Sequence, residues 1–342
     1  MKVFRGLPNA DARRPCALTI GNFDGVHLGH KALLTQVRDA AQRLGIESAV
    51  MTFEPHPREF FAQLAGDTNQ APPRVANLRD KLQALEAANI DRVIVEHFNA
   101  RFAGMSADDF IQKLLVEGLH VKYLIVGDDF RFGAKRAGDF HQLLEAGKKF
   151  GFEVTSLATV THQSTRISSS AVRDALQRGD FKQAKNLLGY SYSISGHVQH
   201  GRKLGRTLGF PTLNLRIGHR HPVLNGIFVV QVHGLGSKPL SAVASLGVRP
   251  TVEDDGRMLL EVHIFDYDKS CYGKLVRVEF LHKLRDEEKY TDANLSGSQS
   301  GRKKISTNAY AKLQPVALNS FCMMALRMRT VIFILAMQSI RY

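Results

Sequence analysis

Through residue 157 the chain alternates short apolar, β-branched runs with segments of helical period, and that alternation leaves few folds open. Strands are expected at 16–20, 48–53, 92–96, 123–127 and 153–157, and helices at 30–44, 77–88, 106–115 and 140–150. In the second of these helices Leu78, Leu82 and Leu85 recur at spacings of four and three, the period of one helix face. Helices placed between strands fit a parallel sheet covered on both faces, because a parallel connection needs a crossover. Ligands of such sheets bind beyond the carboxyl ends of the strands, where the strand order reverses. Loops at those ends are where chemistry-bearing residues mean most.

One or two helices follow at 170–188, broken near Gly179. After Gly189 helical periodicity stops. Runs rich in β-branched and aromatic residues recur at 193–198, 227–233, 241–246, 259–265 and 276–281, as a small antiparallel barrel requires. The expected division is a first domain at 1–188, a barrel domain at 189–292 and an atypical, disordered tail at 293–342. The tail is Gly/Ser-rich and then apolar. Arg327 and Arg329 interrupt its apolar end, and the run after them is shorter than the ~20 residues of a membrane span. An altered reading frame near Asp292 would account for a tail of this composition.

The formal charge of +14 at first points to a polyanion. Residues 293–342 hold 7 Lys or Arg and no Asp or Glu, which leaves +7 for the rest. With no RRM, KH or helix-turn-helix signature, a specific nucleic-acid partner is not expected. The cysteines, Cys16, Cys271 and Cys322, form no metal or disulfide spacing, and no signal-peptide run opens the chain. A cytoplasmic setting and small-molecule partners follow, with no membrane partner; the oligomeric state stays open.

The sequence GNFDGVHLGH, residues 21–30, sits between the first of these strands and the first helix. A helix start offers free N–H groups and a positive dipole end to phosphate. His27 and His30, three apart, fall on one side of that turn and suit charge stabilisation at a phosphorus centre. Gly21, Gly25 and Gly29 permit close backbone approach. ISSSAVR, residues 167–173, also precedes a helix. Its serines suit a cap or a phosphate, and Arg173 suits a phosphate clamp. Two strand-end loops complete the set. FEPHP, residues 53–57, reads as a stiff loop with His56 at its tip. GDDFRFG, residues 127–133, offers Phe130 and Phe132 for stacking, Arg131 for phosphate, and Asp128 or Asp129 for ligand donors.

These four motifs, in this order, resemble the adenylyltransferase module of the bacterial bifunctional riboflavin kinase/FMN adenylyltransferase (FAD synthetase) family, over about residues 14–186. The resemblance implies a doubly wound, Rossmann-like domain of the HxGH nucleotidylyltransferase type. By it Gly21, Phe23, His27, His30, Ser168, Ser169 and Arg173 hold ATP, and His56, Asp128, Phe130 and Arg131 hold FMN. The FMN phosphate is already ionised near neutral pH, so no general base is needed to start the attack. No GxxxxGK[ST] loop is present, which rules out a P-loop design.

In the second half, GHVQHGRKLGRTLGFPTLN, residues 196–214, reads as a cationic flap followed by a strand. Thr212 and Asn214 point to one side of that strand and carry oxygen ligands suited to Mg²⁺ with ATP phosphate. Glu261, alternating with Leu260 and Val262, is the candidate base for a primary alcohol. SLGVRPT and LEVHIFDYDKSCYG follow, and the three stretches resemble the riboflavin kinase module, a Greek-key barrel, over about residues 190–290. The resemblance implies that Gly201, Lys203, Gly205, Thr212, Asn214 and Arg285 bind ATP or flavin, that Thr212 and Asn214 bind Mg²⁺, and that Glu261 activates the ribityl hydroxyl. The activity expected is riboflavin to FMN to FAD, with ATP, riboflavin, FMN and FAD as substrates or products. The variant to weigh against it is FMN adenylyl transfer alone, with the kinase impaired by the altered tail.

Overall fold

The strand Cys16–Ile20 is buried on both faces along its whole length, and the first unit is assembled around it. A computed structural model of the chain describes residues 1–157, 161–162, 165–199, 212–217, 221–248 and 258–286. Six strands form the sheet of this unit: β1 (Lys2–Arg5), β2 (Cys16–Ile20), β3 (Glu47–Glu54), β4 (Arg92–His97), β5 (Val121–Gly127) and β6 (Glu153–Leu157). Their order is β1-β4-β3-β2-β5-β6, and every neighbouring pair is parallel. From β2 the chain builds outward through β3 and β4. It then crosses to the other side of β2 for β5 and β6, so the switch point lies between β2 and β5.

Alternate residues of β2 feed two cores. Ala17 joins Leu33, Leu34 and Val37 of α1 (Leu28–Leu44) and Leu85 of α2 (Leu78–Ala87) on one face. Cys16, Leu18 and Ile20 join Phe110, Leu114 and Leu143 on the other, beneath the helical segment from Ala107 to Val116 and α3 (Phe140–Phe150). Each fully buried Leu, Val or Phe contributes about 1.5–3 kcal/mol. The helix expected at 106–115 is a short α-helical turn, Ala107–Asp109, that widens into a π-helical turn, Phe110–Val116. The wide turn lets Phe110, Ile111, Leu114 and Leu115 all reach the core.

FEPHP is more than a stiff loop. Helix α4, Pro57–Leu64, begins inside it, with Pro57 at its first position and His56 as its cap. The His56 Nδ1 accepts from the Arg58 N–H (3.1 Å), and the Glu59 carboxylate accepts from the His56 N–H (3.2 Å). After a two-stranded ladder of Thr161–His162 and Thr165–Arg166 come α5 (Ser169–Gln177) and α6 (Phe181–Leu188), separated by Gly179.

The second unit is a closed barrel of β7 (Ser193–Gln199), β8 (Thr212–Arg216), β9 (Gly226–His233), β10 (Leu240–Val248), β11 (Met258–Ile264) and β12 (Leu275–Arg285). The order around it is β8-β11-β10-β9-β12-β7, so non-consecutive strands pair as in a Greek key. Period-two side chains fill the interior. Leu213, Ala244 and Val262 lie in one cross-strand row, and Phe228 meets Phe280 edge to face at 5.1 Å between centroids. The architecture is the expected one, a doubly wound parallel-sheet domain followed by an antiparallel barrel. Among the described residues, compact packing assigns those up to Ile194, with His221–Val223, to the first unit and the others to the second. Cys16 and Cys271 are free thiols. Gly201, Lys203, Gly205, Cys322 and the tail at 293–342 lie outside the described residues.

Candidate active sites

The loop after β2 leaves the sheet at its switch point and is locally strained. Phe23, Gly25 and Val26 all have positive φ (47°, 84° and 36°), a conformation costly for a β-branched valine. Its surroundings hold it there. The Asp24 carboxylate, 4% exposed, accepts from the Val75 N–H (3.0 Å), the Ala76 N–H (3.1 Å) and Arg173 Nη2 (2.8 Å). The Ser169 hydroxyl donates to the Asp24 carbonyl (3.0 Å), and Tyr190 donates to the Gly25 carbonyl (2.6 Å). A side chain at Gly25 would put its Cβ 2.6 Å from Val75 Cγ1, so only glycine fits this approach.

The clamped loop delivers two histidines to the start of α1. His27 is the cap, and its Nδ1 accepts from the His30 N–H (3.2 Å). With Nδ1 accepting, the ring proton of neutral His27 sits on Nε2. The two imidazoles stack at 3.6 Å between centroids, and Phe23 covers His30 at 4.9 Å. Burial lowers the pKa of His27 to about 4 against the opposing pull of Asp24. Burial also holds His30 well below the ordinary histidine range, helped by the charges of His27 and Lys81. Both rings are therefore neutral donors at pH 7. Nδ1 of His30 is buried and has no hydrogen-bond partner among the described residues.

Both rings line a cleft of about 270 Å³ that also takes in Gly21, Gly29, Asp128 and Phe130. Phe130 lies parallel to Phe132 at 5.8 Å; Phe132 is core, and Phe130 faces the cleft. Arg131 is not brought there: its guanidinium turns to Asp139 (3.2 Å). Arg166 lines the cleft instead, 3.7 Å from Asp129, and nothing in the sequence singled it out. Ser168 caps α5, accepting from the Ala171 N–H (3.2 Å). Arg173 also donates through Nε to the Pro73 carbonyl (2.7 Å), so part of its fork serves the fold. Beside the cleft's loops, Arg74 grips Glu54 (2.6 and 3.0 Å) and Glu59. His56, lowered to about 4 by burial, is held in the same cluster.

On the barrel, register places the other candidates in one row. Asn214 stands opposite Glu261, Glu261 opposite Ser245, and Thr212 opposite His263. Leu213 and Val262 point inward, so Thr212, Asn214 and Glu261 share the outer face. Asn214 is 5% exposed, and its Oδ1 has no hydrogen-bond partner among the described residues. Thr212 also borders a cavity of about 150 Å³ closed by Tyr267, Cys271 and Tyr272. Arg285 ends β12, opposite Ile227. No group of three or more His, Cys, Asp or Glu side chains placed to hold a metal occurs among the described residues.

Comparison with known proteins decides what the two sites belong to. Residues 9–171 match the model of the FAD synthetase family, and residues 188–295 match that of riboflavin kinase. The chain belongs to the bifunctional riboflavin kinase/FMN adenylyltransferase family. The enzyme of that name from Haemophilus influenzae is 47% identical over 292 residues, covering 85% of this chain and 92% of its own. The one from Escherichia coli is 43% identical over 312 residues, covering 91% of this chain and 98% of its own. A solved structure from Streptococcus pneumoniae, described as a macrolide-efflux protein, is 27% identical with a TM-score of 0.65, covering 86% and 94% of the two chains. As a member of the family, this chain phosphorylates riboflavin to FMN and adenylylates FMN to FAD. The kinase match runs past Asp292, so a chain limited to the second reaction is not favoured. No helix of the described residues is long and apolar enough to cross a membrane.

Proposed function

We propose that FMN adenylyl transfer takes place in the His27–His30 cleft and riboflavin phosphorylation on the Thr212–Asn214–Glu261 face. The observation that carries the first assignment is the stacked imidazole pair at the start of α1, at the switch point of the sheet, with one ring nitrogen buried and unpaired. ATP lies with its phosphates toward the α1 start, where backbone N–H groups and the dipole favour anions. A phosphate oxygen of FMN attacks the α-phosphorus, forming the new P–O bond, and the bond to pyrophosphate breaks. Nε2–H of His27 and the His30 ring donate to the phosphate oxygens as negative charge builds on them. Binding an anion restores the tendency of both rings to protonate, which strengthens those bonds in the transition state. Gly21 and Phe23 shape the nucleotide side. Ser168, Ser169 and the remaining donors of Arg173 close it. His56, Asp128 and Phe130 form the flavin side, and Arg166 takes the place expected for Arg131.

In the barrel, Glu261 takes the proton of the ribityl hydroxyl as its oxygen attacks the γ-phosphorus of ATP and ADP leaves. The unpaired, buried Oδ1 of Asn214 and the hydroxyl of Thr212 are hard oxygen donors, which fit Mg²⁺ bound jointly with ATP phosphate. Mg²⁺ held there supplies charge neutralisation to the phosphates. The scattered cysteines and the small-molecule substrates support a cytoplasmic enzyme.

The test is to incubate purified protein with Mg-ATP and either riboflavin or FMN, then separate the flavins. His30→Ala abolishes FAD formation from FMN and leaves FMN formation from riboflavin intact. Equal loss of both steps would defeat the assignment to two separate sites.

A further inference from the structure

Lys81 is a buried cation with no ion pair among the described residues. Among the described residues three other charged side chains are equally enclosed, and each has an ionic partner: Arg74 with Glu54 and Glu59, Arg92 with Glu47, Asp24 with Arg173. Lys81 is 4% exposed and has none within ion-pairing distance among the described residues. Its Nζ donates to the Thr52 hydroxyl oxygen (3.2 Å), and that hydroxyl spends its own proton on the Asn22 carbonyl (3.1 Å). An ammonium carries three donors. Two of them have no acceptor among the described residues, in a place where burial holds the lysine pKa below its ordinary value. A fold that only needed packing here would do as well with methionine.

The surroundings say what the ammonium faces. Its charge acts on both His30 and His56, and Asp24, Glu54, Glu59 and Arg74 act on it in turn. Thr52 places it near the carboxyl end of β3, and through the Thr52 hydroxyl it is linked to the Asn22 carbonyl in the loop that leads to α1. Adenylyl transfer must bring the dianionic phosphate of FMN against the triphosphate of ATP. Two anions meeting in a dry cleft need a cation at the junction, and it must be already desolvated to act at full strength.

We propose that the Lys81 ammonium is a direct ligand of the FMN phosphate in the adenylyl-transfer site. The proposal rests on the assignment of that site to the His27–His30 cleft. The ammonium is held against Thr52 near the carboxyl end of β3, whereas the ATP phosphates are assigned to the α1 start. It gives the acceptor phosphate two charge-assisted hydrogen bonds and leaves the attacking oxygen free.

The experiment compares Lys81→Met, Lys81→Arg and His30→Ala in the full chain, varying FMN and ATP separately and following thermal melting. Losing charge-assisted bonds to one substrate lowers kcat/KM for FMN about 10- to 100-fold in Lys81→Met, with KM for ATP within about twofold. Lys81→Arg recovers part of that loss. Lys81→Met melts no lower than the parent, because it removes a buried unpaired charge. A loss shared equally by FMN and ATP, a loss confined to ATP, or no loss overturns the proposal. A lower melting temperature that accounts for the lost activity overturns it too, since Lys81 then only supports the fold. An active His30→Ala enzyme sinks the site assignment itself, whereas an inactive one beside an unaffected Lys81→Met sinks only the role of Lys81.

Discussion

Replacing Asp24 by asparagine tests whether the strained loop is held from outside. In the native chain its carboxylate accepts from two backbone N–H groups and from Arg173, whose side chain is itself 12% exposed. Asparagine has one acceptor oxygen and turns an NH₂ toward donors. Its oxygen can keep the two backbone bonds, which share one carboxylate oxygen, but it loses the bond from Arg173 and leaves that guanidinium buried without its counter-charge. Breaking a buried pair from one side costs about 3–5 kcal/mol. That is a large part of the ~5–15 kcal/mol that stabilises a domain. The first unit therefore unfolds at distinctly lower urea, visible by circular dichroism as a separate early transition, while the barrel transition stays in place. FAD formation falls more than the unfolded fraction explains, because His27 and His30 ride on the released loop. Arg173→Met then partly rescues Asp24→Asn by removing the stranded charge, and the double-mutant cycle shows a coupling of about 1–3 kcal/mol. A cost under about 1 kcal/mol with additive effects would refute the clamp.

Three further outcomes follow from the same geometry. His27 prefers its neutral form in the folded state, with a pKa of about 4 against 6.5 unfolded, so the unfolded chain takes up its proton first as pH falls. The stability tied to neutral His27 is full above pH 6.5 and is lost between there and about pH 4, a change of about 3 kcal/mol that His27→Gln removes from the melting-versus-pH curve. Gly25→Ala meets both a φ of 84° and a Cβ at 2.6 Å from Val75, and lowers melting of the first unit by about 1–3 kcal/mol with loss of FAD formation. Glu261→Gln lowers FMN formation from riboflavin about 10²- to 10⁴-fold and leaves FAD formation from added FMN unchanged, read by flavin chromatography.

Much of the sheet was legible because its strands are buried on both faces, which writes them as unbroken apolar runs such as residues 16–20 and 123–127. β1 was not, because KVFR lies at the sheet edge with charged ends and mostly exposed side chains. Helix α4 was missed for a different reason. Pro57 was read as stiffening a loop, whereas at a first helical position it costs no hydrogen bond, and its signal was the Pro with Glu59 two places on. In the site, the helix start at HLGH could be read because its geometry is local: a cap, a turn and a first helical turn. Asp24 and Lys81 could not, since their roles depend on partners 51 and 149 positions away and on 29 positions away. Arg131 failed in the opposite way. An exposed arginine pairs with whatever carboxylate its own turn presents, and that is Asp139, eight residues on.

Arg173 shows how the two ends of the first unit become one site. Its motif suited a phosphate clamp, yet in this structure one edge of its fork is committed to Asp24 and to the Pro73 carbonyl. These uses are compatible because a guanidinium has five donors in a fixed plane, and pinning one edge aims the other. The same ion pair helps fix the loop that carries His27, so contacts at Asp24 set the helix start at Ser169 relative to the helix start at Leu28. On the proposed assignment, phosphate donors 145 positions apart in sequence form one surface, tied together by the bond from the Ser169 hydroxyl to the Asp24 carbonyl. Catalysis without a general base depends on that rigidity, because charge stabilisation is effective only when the donors need no rearrangement as the α-phosphorus reacts. It follows that Asp24, which does not line the cleft, should matter to FAD formation nearly as much as the histidines it positions.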